Sequence, residues 1–257
     1  MNEVKKSKGS GGWLFGALFL ATIVVSYYSP FENPRWNLIA VMVLMLLSLV
    51  FLGQYVLGRS LGILISERNL MSLARLQISI WTVIILSAYL VVALQRVSNG
   101  SLNPLYIRMD ETLWMLLGIS TASLVGSPLI LNRKESKKPS TGELERTALK
   151  LKENVDDINK NSDGSLYRNT GMEDARFSDI FEGDEIGNTA HIDIAKVQMF
   201  VFTVVIAITY IGSLLRWVAV PEEWDVFPAL SPEVVALLGI SHAGYLSNKA
   251  VSHTKET

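Results

Sequence analysis

Five stretches of this chain run for 19 residues or more without a single Asp, Glu, Lys or Arg. They lie between Lys8 and Glu32, between Arg35 and Arg59, and across Leu76–Leu94, Thr112–Leu131 and Val197–Leu215. The hydrocarbon layer of a bilayer is crossed by roughly 20 apolar residues. Inside it every backbone polar group must be paired, which selects helices. Soluble helices of this length carry a polar stripe at the helical period, whereas these are apolar all round. A sixth stretch, Pro232–Asn248, is shorter and carries His242. Counting it, the pattern predicts an all-α, polytopic transmembrane helical bundle of six spans.

Composition narrows the function. Of the 257 residues 49% are apolar and 18% charged, against about 25% charged in soluble domains, and the mean hydropathy is +0.31. Basic and acidic residues number 23 and 24, a balance that predicts no nucleic-acid partner. Without cysteine there is no thiol nucleophile, disulfide or Cys-built metal site. No P-loop, Rossmann glycine fingerprint, H-E-x-x-H or G-x-S-x-G is present, so neither an enzyme nor a cofactor is expected.

The first apolar stretch follows Lys5, Lys6 and Lys8 and is longer than a signal-peptide core. It ends in "VSYYSPFENP", which lacks a small-x-small cleavage pattern, so it reads as an uncleaved span. Placing both termini in the cytoplasm leaves only Arg35, Arg96, Arg108 and Arg216 of the basic residues outside, as the positive-inside bias requires. Trp13 and Trp81 then fall near inner ends of spans, and Trp36, Trp114, Trp217 and Trp224 at or beyond outer ends. The expected organisation is a cytoplasmic tail (1–11), two helices (12–58), a two-helix unit (72–131), a cytoplasmic loop (132–192), a second two-helix unit (193–249) and a short tail (250–257).

The two units read as copies. "SLARLQISIWTVIILSAYL" from Ser72 aligns with "DIAKVQMFVFTVVIAITYI" from Asp193, pairing Gln77 with Gln198, Thr82 with Thr203 and Tyr89 with Tyr210. At the same shift "LLGIS" at Leu116–Ser120 meets "LLGIS" at Leu237–Ser241. Copies two crossings apart point the same way, a parallel duplication about an axis along the membrane normal.

Gly118, Ala122 and Gly126 recur every fourth residue, as do Gly239, Ala243 and Ser247. Such seams admit close helix approach, within the chain or between subunits. Gln77, Gln198, Ser120, Ser241 and His242 are the polar groups expected to bond between helices or to line a pore. In "FSDIFEGDEIGN", Asp179, Glu182, Asp184 and Glu185 crowd around Gly183. They are candidates for a divalent cation, for pairing with Arg75 and Lys196, or for a solvated acidic loop. "DDINKNSDG" mimics a calcium loop but has Asn159 first and Thr170 at place 12, which argues against one.

The strings "ERNLMSLARLQISIWTVIILSAYL", "FSDIFEGDE", "DIAKVQMFVFT" and "LLGIS" resemble an uncharacterised group of bacterial multi-span inner-membrane proteins over roughly Gly58 to Ala250. The resemblance implies a bacterial inner-membrane location and the duplicated SLxRxQ…WT / LLGIS unit, and lends no catalytic residues. Three functions fit: a self-associating homo-oligomer of channel or pore type in the lipid bilayer, a scaffold whose 132–192 loop docks a cytoplasmic protein, or a passive carrier of a small solute.

Overall fold

The computed structural model describes residues 10–256; the basic tail with Lys5, Lys6 and Lys8 lies outside the described residues. Eight α-helices carry most of the described chain: α1 (Ser10–Tyr28), α2 (Pro34–Leu57), α3 (Leu73–Ser98), α4 (Glu111–Asn132), α5 (Thr141–Leu151), α6 (Val155–Lys160), α7 (Ile194–Trp217) and α8 (Pro232–Ala250). One two-residue hairpin, β1 (Ser162–Asp163) with β2 (Leu166–Tyr167), interrupts them. Five helices are long and apolar enough to cross a membrane: α1, α2, α3, α4 and α7. α8, counted above as the sixth span, is not among them; His242, Glu233 and Lys249 dilute its apolar surface.

Local chemistry marks the helix ends. Asn33 caps α2 by accepting from the Arg35 N–H at 3.0 Å, Pro34 follows at the first helical position, and Gly58 closes the helix at φ 69°. α3 and α7 start alike: the Ser72 hydroxyl accepts from the Arg75 N–H, and the Asp193 carboxylate from the Ala195 and Lys196 N–H groups.

The chain divides into two compact units. One comprises residues 10–63, Ser79–Met115 and Val205–Pro232. Here α1 lies so close to α2 that a Cβ on Gly12 would come within 3.0 Å of the Tyr55 ring. The connectors after α3 and α7 pair through Arg108 and Val226, and Arg96 meets Asp225 at 2.6 Å. Trp81 packs edge-on to Tyr210 at 6.4 Å, and Trp217 lies 4.7 Å from Phe227. Trp81, Trp217 and Trp224 are buried.

The other unit comprises Leu64–Ile78, Leu116–Val204 and residues 233–256. The 132–192 segment, expected as a loop, carries α5, α6 and the hairpin. Leu144, Ala148 and Leu151 recur at helical spacing on α5 and close over Ile158, Tyr167 and Ile186. Gly164, at φ 62°, makes the hairpin turn where a Cβ would sit 2.1 Å from the Glu135 carbonyl oxygen. Asn69 and Asn169 donate reciprocally to each other's backbone carbonyls at 3.0 and 2.9 Å. The Ser140 N–H donates to the Lys255 carbonyl at 2.9 Å, drawing the C-terminal tail onto the segment.

Candidate functional site

The second unit contains two adjoining polar clusters. The first is uncharged and joins four helices. Gln77 of α3, Ser120 and Ser123 of α4, Thr203 of α7, and Ser241 and His242 of α8 are all buried. The Thr203 hydroxyl donates to the Met199 carbonyl at 2.8 Å, so towards the Gln77 amide nitrogen it can only accept. The same amide nitrogen faces His242 Nε2 at 3.4 Å, which makes Nε2 the acceptor and leaves the imidazole proton on Nδ1. Nδ1 then donates to the Ser123 hydroxyl at 2.6 Å. Four side chains thus fix one another's donors and acceptors. Among the described residues Gln77 Oε1 and the hydroxyls of Ser120 and Ser241 find no hydrogen-bond partner, an arrangement that costs free energy in an apolar surround.

The second cluster is ionic and centres on two adjacent carboxylates. Asp184 accepts from Arg68 at 2.5 Å and lies 3.2 Å from Lys196 and 2.9 Å from Lys249. Glu185 takes Lys134 at 2.6 Å together with the backbone N–H groups of His253 and Thr254. Burial alone would raise the Asp184 pKa, but Lys196, Lys249 and Arg68 together hold it well below the usual carboxylate value. The Asp184–Glu185 dipeptide therefore ties the start of α7, the end of α8, the Arg68 turn and the C-terminal tail to one point. Tyr245 lies between the clusters along α8, its hydroxyl 3.3 Å from Ser127 and its ring 5.0 Å from the Lys249 ammonium.

The four carboxylates singled out in the sequence do not converge. Asp179 turns to the backbone N–H groups of Met71 and Arg176, each at 3.0 Å. Burial nonetheless pushes its pKa up, outweighing those bonds. Glu182 contributes its carbonyl oxygen to Lys196 at 2.5 Å. Among the described residues no group of three His, Cys, Asp or Glu side chains is placed to hold a metal ion. Of the two expected basic partners, Lys196 reaches Asp184, whereas Arg75 pairs with Glu67 at 2.5 Å. Asp179 and Glu182 also border a cavity of about 590 Å³ over α6 and the hairpin, where Tyr167 is pushed up by burial and then by the charges of Glu153, Asp179 and Glu182.

The repeated glutamines part company: Gln77 is buried, while Gln198 is exposed on α7. The two small-residue rows also turn outward. Gly118, Ala122, Ala243 and Ser247 are exposed, and nothing lies within 4 Å of a Cβ built on Gly118. Gly126 and Gly239 are half-buried, touching Leu246 and Ile119 across the α4–α8 contact. Arg68, Lys134, Ser123 and Tyr245 were not singled out from sequence. The one available signal was spacing: Ser120, Ser123 and Ser127 on α4, and His242, Tyr245 and Lys249 on α8, follow the three-and-four rhythm of one helix face. No protein-family model matches the chain, and no curated protein or solved structure is detectably similar to it.

Proposed function

We propose that this chain is a non-enzymatic integral membrane protein of the bacterial inner membrane, with six spans and both termini cytoplasmic, that self-associates as a channel-type homo-oligomer. One observation carries the reading: the small-residue rows that should admit close helix approach lie on the outside of the chain at Gly118, Ala122, Ala243 and Ser247. In lipid, exposed small residues favour a second helix, whose backbone approaches closely and gains packing that disordered tails do not match.

Parallel duplication of a two-helix unit is part of the proposal. α3 and α7 begin at Leu73 and Ile194, and α4 and α8 at Glu111 and Pro232, each pair 121 residues apart. That is the shift at which the sequence aligns with itself. In support, Ser72 and Asp193 are equivalent caps, and the hydroxyls of Tyr89 and Tyr210 each donate to a carbonyl in the following connector. α8, 19 residues long, spans about 28 Å at the helical rise of about 1.5 Å per residue.

A docking role for the 132–192 segment draws less support, because Asp179, Asp184 and Glu185 are committed within the chain. The test is subunit counting by single-molecule photobleaching in nanodiscs, with ion flux measured in liposomes. Wild type should give several subunits and flux, and Gly118→Leu with Ala243→Leu should lower the count. A monomeric wild type without flux would overturn the proposal.

A further inference from the structure

α7 has an exposed apolar stripe formed by Ile194, Val201, Val205 and Ile208. If α7 crosses the bilayer, as the reading above holds, this stripe meets lipid. Its 24 residues extend about 36 Å, longer than the hydrocarbon layer of about 30 Å. With Arg216 in the last turn at the far boundary, the surplus falls in the first turn. Ile194 therefore emerges at the level where acyl chains give way to headgroups.

The segment before α7 packs against its second turn. Phe177 and Phe181 pack their rings on Phe200 of the second turn, at centroid distances of 6.4 and 5.0 Å. Ile192 is held at the foot of α7 by its bridge to Glu182 and by the adjacent Asp193 N–H donating to the Phe181 carbonyl at 2.8 Å. Even so, Phe177 is 46% exposed, Ile192 68% and Ile194 72%. Three large apolar side chains are thus fixed at the foot of this stripe with no described residue covering them fully.

We propose that Phe177, Ile192 and Ile194 form an anchoring edge that docks this segment into the bilayer interface, with lipid acyl chains as the occupant. Ile194 belongs to the exposed apolar stripe of α7, and aromatic and branched apolar groups at this depth partition into the boundary between headgroups and acyl chains. Docking keeps the Asp184–Glu185 point against the ends of α7 and α8 from the membrane side, in addition to the ion pairs that hold it from within. The proposal rests on the membrane reading, and its test separates the two.

The chain has no native cysteine, so single cysteines carry an environment-sensitive fluorophore at Phe177→Cys, Ile192→Cys or Ile194→Cys. Val205→Cys serves as the lipid reference and Asp156→Cys, on the exposed side of α6, as the water reference. The protein is reconstituted in phosphatidylcholine–phosphatidylglycerol vesicles containing lipids spin-labelled near the headgroup or deep in the chain. The edge labels should emit to the blue of the Asp156 label and be quenched more strongly by the shallow nitroxide than by the deep one. Water-like emission at all three, with Val205 still quenched, overturns the anchor and leaves membrane residence standing. Blue-shifted but unquenched emission places protein, such as a second copy, over the edge and overturns it equally. A Val205 label that is unquenched and water-like in emission removes the membrane reading and the anchor with it.

Discussion

Replacing Asp184 by Asn isolates the ionic cluster in one atom-scale change. The side chain keeps its size, but Arg68, Lys196 and Lys249 lose their shared counter-charge while 15, 5 and 6% exposed. Removing one partner of a buried ion pair costs about 3–5 kcal/mol. Two of the three cations retain neutral acceptors: Arg68 donates to the Tyr167 and Asp184 carbonyls at 3.0 and 2.9 Å, and Lys196 to the Glu182 carbonyl. The lower end, about 3 kcal/mol or roughly a hundredfold in the unfolding equilibrium, is therefore expected. Reversible unfolding in mixed micelles measures it. Lys249→Met in the same background should restore part of the loss, with a coupling of about 1–3 kcal/mol in the double-mutant cycle. The pH dependence follows from the same cations. The folded pKa of Asp184 lies below the ordinary 3.8, so its contribution is complete above that value and fades as pH falls through the depressed folded value. Wild type and D184N should differ fully at neutral pH and converge only in strong acid. A loss under about 0.5 kcal/mol, the level of ordinary surface changes, would refute the claim that Asp184 is the point on which these elements are tied.

Asp179→Asn has the opposite sign: the folded pKa of Asp179 is raised, and an amide oxygen can still accept from Met71 and Arg176, so the variant should be as stable as wild type or more stable at pH 7. Wild type should gain stability on this account as pH falls through the raised value towards 3.8. Ser120→Ala and Ser241→Ala remove hydroxyls without partners and should change stability by no more than about 0.5 kcal/mol or raise it, whereas Ser123→Ala strands the His242 Nδ1–H and should cost about 1–3 kcal/mol; chemical unfolding of the three variants distinguishes them. Gly164→Ala combines a left-handed backbone with a Cβ 2.1 Å from the Glu135 oxygen, a strain of at least about 1–2 kcal/mol, and limited proteolysis should cut its 132–192 segment sooner than that of wild type.

The apolar helices were legible because their signal is local and additive: twenty neighbouring side chains without charge suffice, whatever else the chain does. α8 stood at the edge of this signal, because Glu233, His242 and Lys249 lower its average hydropathy. The acidic run before α7 was visible as composition, but its partners were not. Asp184 finds Arg68, 116 residues away, and no local rule selects Arg68 over Arg75.

Sequence by itself determined which stretches form long apolar helices. Tertiary structure alone decided which side chains of those helices face inward. Gln77 and Gln198 occupy the same place in their helices, yet one lies in a buried network with Thr203 and His242 while the other faces outward. Helical periodicity fixes only the angle between side chains on one helix. Which angle points inward depends on how the neighbouring helices are rotated, and that is set by packing summed over contacts distant in sequence.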